Sequence, residues 1–190
     1  MTWGASVTGG SPETTPTAVS GLSDIVSVAV SSYAMMALKN DGTLYAWGDN
    51  AYGQFGDGVP GVHGSPTAIL TNVVAVATGD QYTLALKNDG SLWATGDNTY
   101  GVLGDGTTTS STVFQQISNV LGAAQIRARG NFALVLKSDG TLTSWGKMGP
   151  QLGLGSGGGF ILAPAPIGGI NLLGDVPTCS ITSPSSPATG

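Results

Sequence analysis

Apolar and polar residues along this chain alternate in short bursts of five to seven positions, and no stretch holds the 3.6-residue period of an amphipathic helix. Val26, Val28 and Val30 alternate with small or polar neighbours, as do Val74 and Val76, which predicts a strand in each place. A second strand is predicted over Met36-Ala37-Leu38, Leu84-Ala85-Leu86 and Leu134-Val135-Leu136. Asn40-Asp41-Gly42, Asn88-Asp89-Gly90 and Ser138-Asp139-Gly140 follow, and Asp-Gly between apolar runs is a strong hairpin signal. The return strands are Thr43–Trp47, Ser91–Thr95 and Thr141–Trp145, with Leu and Ala on one face and large or polar residues on the other. Apolar side chains on both faces suit a sheet packed between two other sheets.

These bursts form a repeat. Leu-Lys-x-Asp-Gly-[Thr/Ser]-Leu occurs at residues 38–44, 86–92 and 136–142, so that Lys39, Lys87 and Lys137 recur 48 and 50 residues apart. A period of that size marks units that bury their apolar faces by stacking on their neighbours. The expected fold is all-β, a propeller-type array of about three to four four-stranded blades of about 50 residues each. Units fall around residues 22–70, 71–119 and 120–168, inside a repeat domain of residues 1–173. Partial units stand at both ends. Trp3-Gly4 matches Trp47-Gly48 and Trp145-Gly146, and Pro16-Thr17-Ala18-Val19 matches Pro66-Thr67-Ala68-Ile69. Pro166–Leu173 reads as the beginning of another unit, and Pro66, Pro164 and Pro166 as openings of connections between strands. Residues 174–190, rich in Ser, Pro and Thr, read as a tail.

Composition narrows the function. Charged residues make up 9% of the 190, and the net charge of −5 rests on six Lys+Arg against eleven Asp+Glu. With no basic patch, nucleic acid is not an expected partner. No secretory signal is expected from Met1–Val7, and no apolar run is long enough to insert in a membrane; the location stays open between a virion and the cytoplasm. The single cysteine, Cys179, rules out an internal disulfide framework.

The run Leu38–Gly56, read as Leu-x-x-Asp-Gly-x-Leu-x-x-Trp-Gly-x-Asn-x-x-Gly-Gln-Phe-Gly, resembles the repeat of the regulator-of-chromosome-condensation family. The resemblance covers most of the chain and implies a β-propeller of about 50-residue repeats, seven-bladed in that family. It also implies guanine-nucleotide exchange on a small GTPase as one activity. The family's Gly-x-x-His before the second strand is altered here: the histidine position holds Ala34, Tyr82 and Phe132, and the glycine position Ser31, Gly79 and Arg129. Those changes bear on an inherited site more than on the fold.

Candidate chemistry is sparse. His63, the only histidine, lies among Gly61 and Gly64 in what reads as a loop, without a partner for nucleophilic or metal chemistry. Asp49, Asn50 and Asp57, repeated as Asp97, Asn98 and Asp105, offer oxygen atoms either to Ca²⁺ or to the backbone of their own glycine-rich loop. The third copy replaces that set with Lys147, Met148 and Gly155, which favours the loop. Asp41, Asp89 and Asp139 are explained by turn chemistry, and Tyr45, Trp47, Trp93 and Trp145 by packing between sheets rather than sugar stacking. No catalytic, cofactor or metal residue is assigned, no enzyme activity is expected, and a small-molecule ligand is not anticipated.

About three units do not close a ring, which takes about four to eight blades. The expected function is therefore a non-catalytic structural or assembly protein that associates with itself or with other structural proteins. Its low charge and Gly/Ser/Thr-rich composition are similar to those of a phage or viral particle component, a tail or capsid-decorating protein. A soluble protein- or glycan-binding propeller module is the alternative. The expected contacts are Trp3, Val26 and Val28 at one end and Ile167, Ile170 and Leu172 at the other, with residues 177–190 reaching a neighbouring subunit.

Overall fold

The computed structural model describes residues 2–4, 13–147, 149 and 159–171, and within them every regular element is a β-strand. After a short pair, β1 (Thr2–Gly4) and β2 (Glu13–Thr17), come three four-stranded sheets. The first is β3 (Ile25–Val30), β4 (Ala34–Lys39), β5 (Leu44–Asp49) and β6 (Val62–Leu70). The second is β7 (Val73–Thr78), β8 (Tyr82–Lys87), β9 (Leu92–Gly96) and β10 (Ser111–Ile117), and the third β11 (Ala123–Arg129), β12 (Phe132–Lys137), β13 (Thr141–Lys147) and β14 (Phe160–Asn171). Each sheet is an antiparallel meander in chain order. The first strands β3, β7 and β11 lie beside one another, as the inner strands of propeller blades do.

Local chemistry sets each hairpin. The carboxylates of Asp41, Asp89 and Asp139 accept the backbone N–H two residues on at 2.9 Å, from Thr43, Ser91 and Thr141, and a glycine with positive φ follows each Asp. At Asp89 and Asp139 the hydroxyls of Ser91 and Thr141, then the backbone bonds, and at Asp41 the backbone bond from Thr43 first, hold the carboxyls below the usual carboxylate range. The glycine near the end of each third strand is required by space. Ideal Cβ atoms at Gly48, Gly96 and Gly146 would lie 2.4, 2.3 and 2.4 Å from the carbonyl oxygens of Tyr33, Gln81 and Asn131.

Two positions differ from the sequence reading. Pro66, Pro164 and Pro166 stand inside the fourth strands β6 and β14 rather than in connections. A fourth strand pairs on one edge only, and Pro66 falls in the irregularity between the pairs Ala46↔Thr67 and Gly48↔His63, so a missing N–H costs little there. Residues 166–171, read as the start of a new unit, instead finish β14, where Asn171 pairs with Thr141.

The cores lie between the sheets. One joins the first and second sheets through Met36, Leu38, Leu44, Phe55 and Ala85. The other joins the second and third through Leu84, Leu92, Leu103, Ile126, Val135 and Trp145. Fully burying one such side chain contributes about 1.5–3 kcal/mol, so the array holds together by its sheet-to-sheet faces.

Candidate interaction faces

Each sheet meets its neighbours by two faces, and the repeat makes them comparable position by position. The leading face, turned toward the preceding sheet, carries Thr83, Ala85 and Thr95 in the second sheet and Ile126, Ala133, Val135 and Trp145 in the third, all buried. The trailing face carries Ala34, Met36, Leu38 and Leu44 in the first sheet and Tyr82, Leu84, Leu86 and Leu92 in the second, again all buried.

Loops after the third strands latch one sheet to the next. The buried Asn50 side chain accepts the N–H of Phe55 at 2.9 Å and donates to the Val59 carbonyl at 2.8 Å and to Asp57 at 3.0 Å. Asn98 repeats this with Leu103 at 2.9 Å, Asp105 at 3.2 Å and the Thr107 carbonyl at 3.1 Å. So shaped, the loops drive Phe55 and Leu103 into the cores and bond the following sheet. Gly58 and Gly106 donate to the carbonyls of Thr112 and Leu162 at 2.9 Å, and the Thr95 hydroxyl donates to the Gly53 carbonyl at 2.8 Å. The Asn–Asp sets thus spend their side chains on loop structure. Tyr82, at the position where the resemblance implies histidine, donates its hydroxyl to the Phe132 carbonyl of the next sheet.

At the ends of the array the same faces are more open, although Ala37 is buried like its equivalents Ala85 and Val135. Val28 is 69% exposed where its equivalent Ile126 is 1% exposed. Trp47 and Met35 are half-buried where Trp145 and Ala133 are fully enclosed. An apolar hollow of about 350 Å³ opens on this first leading face, lined by Ala18, Val19, Val28, Val30, Met35 and Trp47 among others. On the third sheet the trailing residues Phe132, Leu134, Leu136 and Leu142 are only half-buried.

Of the contacts expected from sequence, Val28 lies on this face. Val26 does not share it: the irregularity between Ile25 and Ser27 turns it toward a second hollow bordered by Asn72, Val73 and Val74. Trp3 lies in β1 and Ile170 in β14, Ile167 is half-buried on β14, and Leu172 falls outside the described residues, as do Cys179 and residues 174–190. His63 is in β6, not a loop, with its ring edge-on to Phe55 at 5.2 Å and Nε2 3.5 Å from Asp57. Trp145 is core, whereas Trp93 lies half-buried under the Lys87 ammonium at 4.4 Å. Sequence reasoning missed Trp47, Met35 and Leu134 as end-face residues. Comparing each repeat position with the buried copies would have found them. Among the described residues no group of three or more His, Cys, Asp or Glu is placed to hold a metal ion, and no helix is long and apolar enough to cross a membrane.

Three meander sheets of one period, stacked through loop latches, make this an array of propeller blades. Models of the regulator of chromosome condensation (RCC1) repeat match residues 25–54 and 73–102, and, in a second form, residues 41–86. Residues 25–102 thus carry repeats of the RCC1 type, and the array has the fold of an RCC1-type β-propeller. The human E3 ubiquitin-protein ligase HERC2 is 43% identical over 56 residues, which are 28% of this chain and 1% of that protein. Yeast RCC1 (Prp20), solved bound to Kap60, superposes with a TM-score of 0.74 at 22% identity, covering 84% of this chain and 41% of that one. Human WBSCR16 gives a TM-score of 0.68 at 29% identity, covering 75% and 37%. The chain spans about two fifths of the length of these solved propellers.

Proposed function

We propose that this chain is a non-catalytic protein-assembly module, presenting the open faces of its first and last sheets to other protein subunits, copies of itself among them. One observation carries the reading: positions closed off by a neighbouring blade inside the array, such as Ile126 and Trp145, are open at its end as Val28 and Trp47. Unpartnered apolar faces of this kind mark contact surfaces. Low charge on the chain leaves little electrostatic opposition to contact between subunits. A place in a phage or viral particle is a narrower form of the proposal and draws support from composition alone. Sedimentation of Val28→Asp and Ile167→Asp variants tests the reading. Loss of the assembled species in either supports it, and an unchanged distribution in both removes it.

A second reading, a protein- or glycan-binding module, draws support from a polar hollow of about 330 Å³ bordered by Ser31, Tyr33, Asp49, Tyr52, Asp80 and Gln81. Tyr33 and Tyr52 are both exposed there and could stack on a sugar or a peptide. Nucleotide exchange is the weakest of the readings. A second structure of Prp20, described together with its binding to Gsp1p and histones, aligns at 24% identity over 77% of this chain, and that likeness carries the fold alone.

A further inference from the structure

Side chains along β11 alternate between two faces, and Ile126, 1% exposed, fixes which is which by packing against the second sheet. Arg127 and Arg129 therefore stand on the trailing face, with no register irregularity between them. Cross-strand pairing puts Arg127 beside Leu134 and Arg129 beside Phe132. Their equivalents are Ala77 and Gly79 on the second sheet and Ala29 and Ser31 on the first, since Ala77 pairs with Leu84 and Ala29 with Met36. Small residues at these positions let the next sheet close in. Ala77 is buried in the core shared with the third sheet, and Ala29 packs against the core between the first and second. A Cβ added at Gly79 would lie 2.7 Å from the Gly130 carbonyl oxygen of the next sheet. In the third sheet the same two positions carry guanidinium groups, and both are exposed. Arg127 donates from Nη1 to the carbonyl of Ile126 at 2.8 Å, and among the described residues no carboxylate pairs with either arginine. Two of the six Lys+Arg in a chain of net charge −5 thus stand together on one sheet face.

We propose that the trailing face of the third sheet is a docking surface for an acidic amphipathic helix of a partner protein, with Arg127 and Arg129 pairing its carboxylates. This rests on the assembly reading and deepens it by naming what the last face takes. Another sheet of the repeat pattern is a poor occupant. Inside the array the inner-strand residues turned toward a trailing face are Val76 and Thr78, then Ile126 and Ala128, and none is a carboxylate. Val28 and Val30 hold the same places on the first sheet, so a second copy stacked there would bury both guanidinium groups without partners. Charge complementarity calls instead for two carboxylates spaced like residues two apart on a strand, about 7 Å. Glutamates four apart on a helix lie about 5–6 Å from each other and meet that spacing. A helix also satisfies its own backbone, and it brings an apolar stripe to Phe132 and Leu134, both half-buried beside the arginines. An anionic lipid surface is a weaker match, because the chain's net charge of −5 opposes a wide sheet of negative charge.

The probe is a fluorescently labelled helical peptide of about 20 residues, a leucine stripe bordered by glutamates four apart, followed by anisotropy as the full chain is added. Saturable binding is expected, about tenfold weaker in the double variant Arg127→Ala, Arg129→Ala, and weakened as much when glutamine replaces each glutamate of the peptide. Both arginines are exposed, so the variant keeps the fold, and its thermal transition is recorded alongside. Val28→Asp, on the first sheet's leading face, is expected to leave the affinity unchanged. No binding, or binding indifferent to the arginines or to the glutamates, overturns the proposal. Loss of binding in Val28→Asp alone overturns it too, by placing the peptide on the other end of the array. So does a chain that sediments with phosphatidylserine vesicles through Arg127 and Arg129 while ignoring the peptide. Failure here leaves the assembly reading standing if Val28→Asp or Ile167→Asp still disperses the assembled species.

Discussion

The indole N–H of Trp145 donates to the carbonyl of Val102 at 2.7 Å, and both residues are buried between the second and third sheets. Trp145 belongs to β13 and Val102 to the loop that follows β9, so the bond ties one blade to the loop of the one before it. Thr95 makes the corresponding bond to Gly53 one blade earlier. Two unlike side chains at one repeat position thus latch onto successive residues of the same loop.

Trp145→Phe keeps most of the ring and leaves the Val102 carbonyl buried without its donor. The expected cost is about 1–3 kcal/mol, read as a lowered urea midpoint with an unchanged slope. Trp47→Phe, with the same ring in the half-buried end position, is expected to move the midpoint by less than half as much.

Asn98→Ala removes both the acceptor for Leu103 N–H and the donor to Asp105 and Thr107. It is expected to destabilise by about 1–3 kcal/mol, and Asn98→Asp by a similar amount, because a carboxylate can accept but not donate. Added Ca²⁺ is expected to leave the thermal midpoint of the native chain unchanged, as the loop uses these groups internally.

Tyr82 is buried, and burial, with the Asp80 charge as a smaller cause, raises its phenol far above the ordinary value of 10. A folded-state value raised above the unfolded one contributes stability that is fully present below pH 10 and is lost as pH climbs beyond it. Tyr82→Phe is expected to be about 1 kcal/mol less stable at pH 7, from the lost bond to Phe132, and to lose stability less steeply above pH 10. Urea titrations at pH 7 and at pH 10.5 measure both effects.

Hairpins and blade period were legible in the sequence because Asp41-Gly42 and its two copies are local instructions, complete within a few residues. The fourth strands were not. Their backbone is held from one edge, so β6 and β14 can carry Pro66, Pro164 and glycines that erase any alternation. The end faces were half legible. Alternation put Val26 and Val28 on one side, but an irregularity beside Ile25 turns Val26 away. Nor does residue type separate Trp47 from Trp145. Only the presence of a preceding loop does, and that is a property of the stack rather than of either tryptophan.

Equivalent positions should respond oppositely to one change. Ile126→Asp buries a carboxylate between sheets and is expected to cost about 3–5 kcal/mol or prevent folding. Val28→Asp, at the same repeat position on the open face, is expected to change stability of the dissociated chain by about 0.5 kcal/mol or less. Thermal denaturation of the two variants at low protein concentration makes the comparison.

The most direct test of the open faces as subunit contacts is the mass of the chain in solution, by light scattering behind a sizing column across a range of concentrations. A discrete multiple of 18.9 kDa is the predicted result. A chain that runs as a single 18.9 kDa species at every concentration would contradict self-assembly through its blade ends.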